Sequence, residues 1–530
     1  MASFHLLDRL TGEHRPDLST DALLRKFEAT PYDERIAAQS TYEVLQLGAA
    51  RNPDAAALQF LPNADPAEAP FTVSYRQFIA GVNQAANMFH ELGVGPPADR
   101  LVSGRRIAAS DTAAFFHTGG TTGMPKLVRH THRNEVYQAW LIALMLRSEA
   151  ILFGLPLFHV GGALTQGLGN LGMGTTLVIL SPAGWRNPNA VRNVWQLVQR
   201  YRPQVFGGVP TVLAAALGVP VGDADISSMR CCSGGGSAIP VAVANNYANQ
   251  FKLAVLEVYG MTETSSVHAM SYPDRPIRLG SVGHAGPYSR VRVVQLDADD
   301  CYVRDCEVNE IGTVAMQGPG VFSGYLSDSH NRAAFVEPGW VNSGDLGRLD
   351  EDGYLWITGR AKDLIIRGGH NIDPIVVEEI LFRHPAVAFA AVVGQPDAYA
   401  GELPVAYVQL KAQASAQPAA LMAFIAERTS ERAANPVHVY LIDAMPLTGV
   451  GKVFKPQLRW DAAQRKVTEM LADLQQGDLK IVVAVATHAV HGSLITVRLQ
   501  GLPAVQRRQV EDEVHKRLGP LVMQHEIAWG

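Results

Sequence analysis

Phe116-His117-Thr118-Gly119-Gly120-Thr121-Thr122-Gly123-Met124-Pro125-Lys126 is the stretch from which the rest of the chain is read. Between Thr118 and Lys126 it places three glycines, three threonines and a closing lysine. Glycine lets a backbone come close to a ligand, successive N–H groups form an anion-binding nest, and lysine adds a positive charge. Such a loop suits phosphate. The apolar run Ala113-Ala114-Phe115-Phe116 before it predicts a buried strand that delivers the loop. It is not a Walker A loop, because Pro125 stands between Gly123 and Lys126, where that pattern needs an uninterrupted Gly-Lys-Ser/Thr. The same residues would also make an unliganded Gly/Thr turn, so the reading depends on what lies further out.

Moving outward, Leu155-Pro156-Leu157-Phe158-His159-Val160-Gly161-Gly162 puts a histidine in a Pro/Gly turn. Ser233-Gly234-Gly235-Gly236-Ser237 follows an apolar run and precedes an amphipathic helical pattern at Val241–Phe251, an arrangement that fits a ligand-binding crevice. Val255 to Tyr259 reads as a strand, after which Gly260-Met261-Thr262-Glu263 presents a hydroxyl and a carboxylate together. Magnesium takes oxygen ligands and keeps waters beside nucleotide phosphates, so one glutamate is enough to anchor it. A helix cap would use the same Thr and Glu. Gly339 to Leu346 contains Asp345, whose carboxylate can accept from both hydroxyls of a diol. Asp350-Glu351-Asp352-Gly353 predicts a hairpin turn before the strand through Ile357. Two further runs are Gly359-Arg360-Ala361-Lys362 with Gly368-Gly369, and Met445-Pro446-Leu447-Thr448-Gly449-Val450-Gly451-Lys452. Read alone, Lys452 is a solvated loop charge.

Taken together and in this order, these motifs resemble the adenylate-forming superfamily: acyl- and aryl-CoA synthetases, peptide-synthetase adenylation domains and luciferases. The resemblance runs from about Thr41 to Lys452. It implies an α/β fold with a large N-terminal domain of several subdomains and a small mobile α+β C-terminal domain. It also implies the phosphate loop Thr118, Gly119, Gly120, Thr121, Thr122, Gly123 and Lys126. Gly234, Gly235, Gly236 and Ser237 would pack against adenine and the acyl group, with Tyr259 and Gly260 beside the base. Thr262 would contact phosphate and Glu263 would hold magnesium. Asp345, Ile357 and Arg360 would serve the nucleoside. His159 would line the carboxylate site. Lys362 would be the hinge, Gly368 and Gly369 would approach the pantetheine channel, and Lys452 would be the catalytic lysine. ATP, Mg2+ and coenzyme A are the implied small molecules. Gly119 replaces a serine usual in the family and gives up a hydroxyl donor. His370 and Val450 also depart from the family's residues at their positions.

The implied chemistry is activation of a carboxylic acid to an acyl-adenylate, followed by thioester formation with coenzyme A. The apolar character around His159, Gly235, Gly260, Met261, Val267 and His268 favours an aromatic or medium-chain fatty acid. Two other readings stay open: an adenylation enzyme that loads a carrier-protein pantetheine, and a non-catalytic nucleotide-binding relative.

The expected domains are 1–358, 359–459 and, beyond the resemblance, 460–530 as a small appended α/β module. Between Gly95 and the loop the family carries a long α/β stretch, and here only Pro96 to Ser110 stand there. Either tens of residues are lost around 96–106 or a segment is absent from the sequence. In the first case neighbouring strands would face water or a partner subunit.

Composition agrees with a folded chain: 47% hydrophobic and 18% charged residues leave ample apolar surface for a core. A net charge of −5 gives no nucleic-acid signal. Four cysteines are too few for a disulfide framework at this length, which fits a reducing cytoplasm. Cys231-Cys232 reads as strand packing, and no zinc-type Cys/His spacing occurs. Met1–Asp8 does not read as a secretory signal. Ala150–Trp185 has no charged residue, but repeated Gly and Pro predict short buried elements rather than a membrane span. A homo-oligomer is left open.

Overall fold

The computed structural model describes residues 16–92, 106–118, 126–297, 299–331, 333–360, 363–429, 431–488 and 492–530. The chain forms two units. The first holds the chain up to Thr118, then Lys126–Ile357 and the short stretch Gly449–Lys452. The second holds Thr358–Thr448 and Val453–Gly530.

In the first unit, the parallel strands Ala150–Phe153, Thr176–Leu180 and Ala56–Leu61 continue into antiparallel Phe71–Ser74. A second sheet runs Val205–Gly208, Cys231–Gly235, Ala254–Tyr259, Ala269–Met270, His284–Ala285, and its first three strands are parallel. Parallel strands are covered on both faces, which is why they read as continuous apolar runs. Ala150–Trp185 accordingly folds into two buried strands joined by short helical pieces. No helix among the described residues is long and apolar enough to cross a membrane. A third, antiparallel sheet is built on Arg290–Leu296, Gly312–Gln317 and Trp340–Leu349, with Leu355–Arg360 beside the last.

The His132–Met145 helix is the structural centre of this unit. Thr131 caps it in a reciprocal box with Asn134. Every residue from Asn134 to Met145 is buried, so it is a core helix, with its polar residues inside along with the apolar ones. Two of its polar residues, Asn134 and Gln138, satisfy buried backbone groups that would otherwise be unpaired. Asn134 donates to the carbonyls of Pro319 and Val321. Gln138 donates to those of Thr264 and Val267 and accepts from the Val267 N–H.

The strand before the phosphate loop is present as Thr112–His117, but its predicted burial is not. It pairs only with Leu127–Thr131 in a two-stranded ribbon, and Phe115 is 48% exposed. Among the described residues no further strand extends this ribbon. The short stretch expected around 96–106 falls almost wholly outside the described residues. On elements near it in sequence, Phe71, Phe89 and Leu92 are exposed.

The second unit has strands His370–Ile372, Ile365–Arg367, Gly401–Leu410 and Val387–Asp397, with His438–Leu441 parallel to Gly401–Leu410. Helices Pro374–Phe382 and Pro418–Ala426 cover one face through Val377, Leu381, Leu421 and Ile425. The expected division between 459 and 460 falls inside one helix, Lys455–Leu471. Leu458 and Ala462 of that helix pack with Ala391, Val393, Val405 and Tyr407. Ala463, Val467 and Leu471 enter the core of strands Lys480–His488, Gly492–Gln500 and His525–Trp529 and helix Ala504–Leu518.

Candidate functional site

Three corners of the first unit carry the expected residues. At the first, strand Ala254–Tyr259 ends and one 3-10 turn, Thr262–Thr264, follows. Gly260 is required by the protein itself, since a Cβ there would lie 1.7 Å from the Ser266 carbonyl oxygen. Ser265 and Ser266 both take positive φ, 56° and 111°, a conformation that side chains disfavour and that persists where surroundings enforce it. Gln138 supplies that enforcement from the core helix. His130 adds to it: its Nε2 lies 2.7 Å from the Thr262 carbonyl, so that nitrogen carries a proton.

The turn buries Thr262 and Glu263. Glu263 Oε1 accepts the Tyr325 hydroxyl at 2.6 Å. Burial, followed by the Glu263 charge, pushes the Tyr325 phenol far above its ordinary pKa, so it stays a donor. Lys126 Nζ sits 4.7 Å above the Tyr325 ring centroid. Thr118 and Lys126 close the mouth of the loop: Thr118 N–H donates to the Lys126 carbonyl, and Thr118 Oγ1 accepts from the Lys126 N–H. Gly119, Gly120, Thr121, Thr122 and Gly123 lie outside the described residues.

At the second corner the Tyr259 hydroxyl donates to Asp345 Oδ2 at 2.8 Å. Asp345 is buried on strand Trp340–Leu349. Ser343 Oγ fixes its backbone by accepting the Asp345 N–H while donating to the Val314 carbonyl. Tyr259, Met261 and Ile357 pack on the same apolar cluster.

At the third corner lies the glycine run. A Cβ on Gly234 would meet Ile239 and Leu213 at 2.8 Å, and one on Gly235 the Val258 carbonyl oxygen at 2.2 Å. Both glycines are therefore demanded by internal packing. Gly236 has φ +87°, and a Cβ there would lie 2.8 Å from Lys452 Cε. Ser237 is exposed. Thr211 Oγ1 donates to the Gly451 carbonyl at 2.8 Å, which anchors the lysine's loop. His159 Nδ1 accepts the Gly161 N–H at 3.1 Å, at the start of a π-helix, Gly161–Leu168. Burial, the Lys452 ammonium and then His117 lower the His159 pKa to about 4. The ring is thus neutral near pH 7, with its proton on Nε2.

Val267 and His268 lie beside the first corner: Gln138 bonds the Val267 backbone, and the His268 N–H donates to the Tyr259 carbonyl at 2.8 Å. Both are buried, and His268 Nε2 donates to the Arg290 carbonyl at 3.0 Å. In the second unit Arg360 ends strand Leu355–Arg360 and is exposed. Gly368 and Gly369, at φ 56° and 86°, make the two-residue turn between Ile365–Arg367 and His370–Ile372. That turn type needs positive φ at both central positions, which accounts for the glycine pair without a ligand. Lys362 lies outside the described residues. Tyr325, His130 and Gln138 were not singled out from the sequence. For Gln138 a signal was present: it is a polar residue inside the apolar pattern of His130–Leu146.

With this geometry, the fold is that of a mixed α/β protein with a large N-terminal and a small C-terminal domain, as expected. Residues 99–326 match the AMP-binding enzyme family, and 376–452 match the AMP-binding enzyme C-terminal domain. The marinolic acid–CoA ligase of Pseudoalteromonas sp. (strain SANK 73390) is 41% identical over 386 residues, 71% of this chain and 59% of that protein. The 2-succinylbenzoate–CoA ligase of Bacillus subtilis (strain 168) is 32% identical over 355 residues, 66% of this chain and 68% of the relative. The solved structure of the Bacillus subtilis o-succinylbenzoate CoA synthetase with its acyl-adenylate intermediate superposes with a TM-score of 0.64 at 25% identity, covering 79% of this chain and 98% of that one. The chain belongs to the AMP-binding enzyme family of the adenylate-forming superfamily. It spans about three-fifths of the length of the first curated relatives it matches.

Proposed function

We propose that this chain activates a carboxylic acid with ATP and passes the acyl group to the thiol of coenzyme A. The substrate carboxylate attacks the α-phosphorus of ATP, forming the acyl-adenylate and releasing pyrophosphate. The thiol then attacks the acyl carbon, and AMP leaves. The observation that carries this reading is the placement of Lys452 against Gly236 and near His159, in the same unit as Glu263 and Asp345.

Both reactants of the first step are anionic, and like charges ~4 Å apart repel by about 4 kcal/mol at an effective dielectric of 20. Lys452 and Lys126 bring positive charge to offset that. Thr118 and the loop amides orient phosphate, Tyr259 flanks the base, and Asp345 takes the ribose hydroxyls. Neutral His159 contributes its Nε2–H as a donor toward the acid's carboxylate. Glu263 fits a magnesium ion: it is a buried carboxylate with Oε1 bonded to Tyr325, and Oε2 takes no hydrogen bond from the described residues. Magnesium would supply charge neutralisation on the phosphates.

The acid we favour is aromatic or medium-chain and apolar. The named substrates of the matched relatives, marinolic acid and 2-succinylbenzoate, are carboxylic acids. ATP–pyrophosphate exchange across a panel of fatty and aromatic acids tests the first step, and thioester assays with coenzyme A against carrier-bound pantetheine test the second. ATP binding without exchange for any acid would instead make this a non-catalytic relative.

A further inference from the structure

We infer that Tyr325 is a positioning residue that aims Glu263 at a divalent cation and holds Lys126 apart from it. The inference rests on the nucleotide-activating reading above and adds a residue to it. One aromatic side chain touches two groups of opposite charge. Its hydroxyl donates to Glu263 Oε1 at 2.6 Å, and its ring carries Lys126 Nζ at 4.7 Å from the centroid. An ammonium and a carboxylate this close to one ring would attract each other, and a direct pair would spend both charges. With the ammonium held over the ring face and the carboxylate on the hydroxyl, the ammonium stays available for phosphate and the carboxylate for metal.

The ring's position is fixed from several sides. Tyr325 N–H donates to Asn331 Oδ1 at 2.7 Å, and Asn331 Nδ2 returns a bond to the Tyr325 carbonyl. Tyr325 bridges to Val128, on the strand that leaves Lys126, and the Leu326 N–H donates to the Leu127 carbonyl. Phe322 meets the Tyr325 ring edge-on at 4.9 Å, and its own N–H donates to the Glu263 carbonyl at 2.9 Å. The segment is thus tied both to the end of the phosphate loop and to the Glu263 turn. Hydrogen bonds to a ligating carboxylate set its orientation, and losing such a partner typically costs 10–100-fold in metal affinity.

The test uses the full chain with two substitutions, Tyr325→Phe and Tyr325→Leu. Mn2+ is titrated against the protein–ATP complex by the paramagnetic resonance of free Mn2+, and ATP is titrated separately in EDTA. Tyr325→Phe keeps the ring beneath Lys126 and loses only the hydroxyl. It is expected to weaken Mn2+ binding by roughly tenfold and to leave metal-free ATP binding unchanged. Tyr325→Leu is expected to weaken both. A Phe variant with wild-type Mn2+ affinity, or one that weakens both titrations equally, overturns the inference; if the wild type still exchanges pyrophosphate, the synthetase reading stands. A wild type that binds neither ATP nor Mn2+–ATP overturns both.

Discussion

At Gly236 backbone and side-chain demands meet. Its φ of +87° disfavours any L residue by about 1 kcal/mol, and a methyl group would push on Lys452 Cε. Gly236→Ala is expected to lower the melting temperature by only about 2–4 °C while pyrophosphate exchange falls by up to ~10²-fold, because a misplaced catalytic group costs far more rate than stability. Lys452→Ala should lose ~10²–10³-fold in exchange yet still make thioester from supplied acyl-adenylate; equal loss of both half-reactions would contradict its assigned role. His268 gives a pH signature. Burial lowers its pKa from 6.5 to about 4, so the unfolded chain binds this proton at a higher pH than the folded one. Stability is therefore full above pH 6.5 and falls with pH between 6.5 and 4, by at most about 1.4 kcal/mol per pH unit. Urea unfolding at a series of pH values checks this, and His268→Gln should flatten the slope. At this scale the sequence was legible where chemistry is local. Thr262, Glu263 and Asp345 stand out by type and by neighbours, whereas Lys452 gains its part only through the family resemblance. Tyr325 does not stand out, because its partners Glu263 and Lys126 lie far away in sequence and nothing beside it advertises them.

At the scale of elements, the His132–Met145 helix sets the geometry of the Glu263 turn. Gln138→Leu removes three hydrogen bonds to Thr264 and Val267 and leaves buried backbone groups unpaired, each worth ~1–3 kcal/mol. The expected result is a loss of about 3 kcal/mol or more in denaturant unfolding, with weaker Mn2+–ATP binding as the turn relaxes. The apolar spacing of Val136, Trp140, Ala143 and Leu144 marks a helix here. It could not show that the polar side of the helix is buried too, because that depends on carbonyls delivered by distant segments. The ribbon Thr112–His117 fails the opposite way. Ala113–Phe116 is apolar enough for two covered faces, but only one strand pairs with it, so Phe115 is left exposed.

At the scale of the molecule, the end of the chain is integrated into the second unit. A chain stopped after Leu474 would uncover Ala463, Val467 and Leu471, at roughly 2 kcal/mol for each large side chain returned to water. Calorimetry should then show the second unit melting earlier, and an apolar dye should bind where it did not before. The apolar runs at Leu479–Val485 and Leu494–Leu499 and the amphipathic pattern at Gln506–Leu518 mark two strands and a helix, while the third strand, His525–Trp529, lies beyond them. The boundary was not legible. Lys455–Leu471 carries apolar residues for two different partners, and its periodicity does not say which residues serve which.

That double allegiance restricts how the tail can change hands between related chains. Exchanging it cleanly would require Ala463, Val467 and Leu471 to travel with the donor while Leu458 and Ala462 of the same helix stay with the recipient. The dividing point falls in the middle of one continuous helix, and Trp460, upstream of it, also packs on the tail's core, so this tail should be inherited together with the helix as one block.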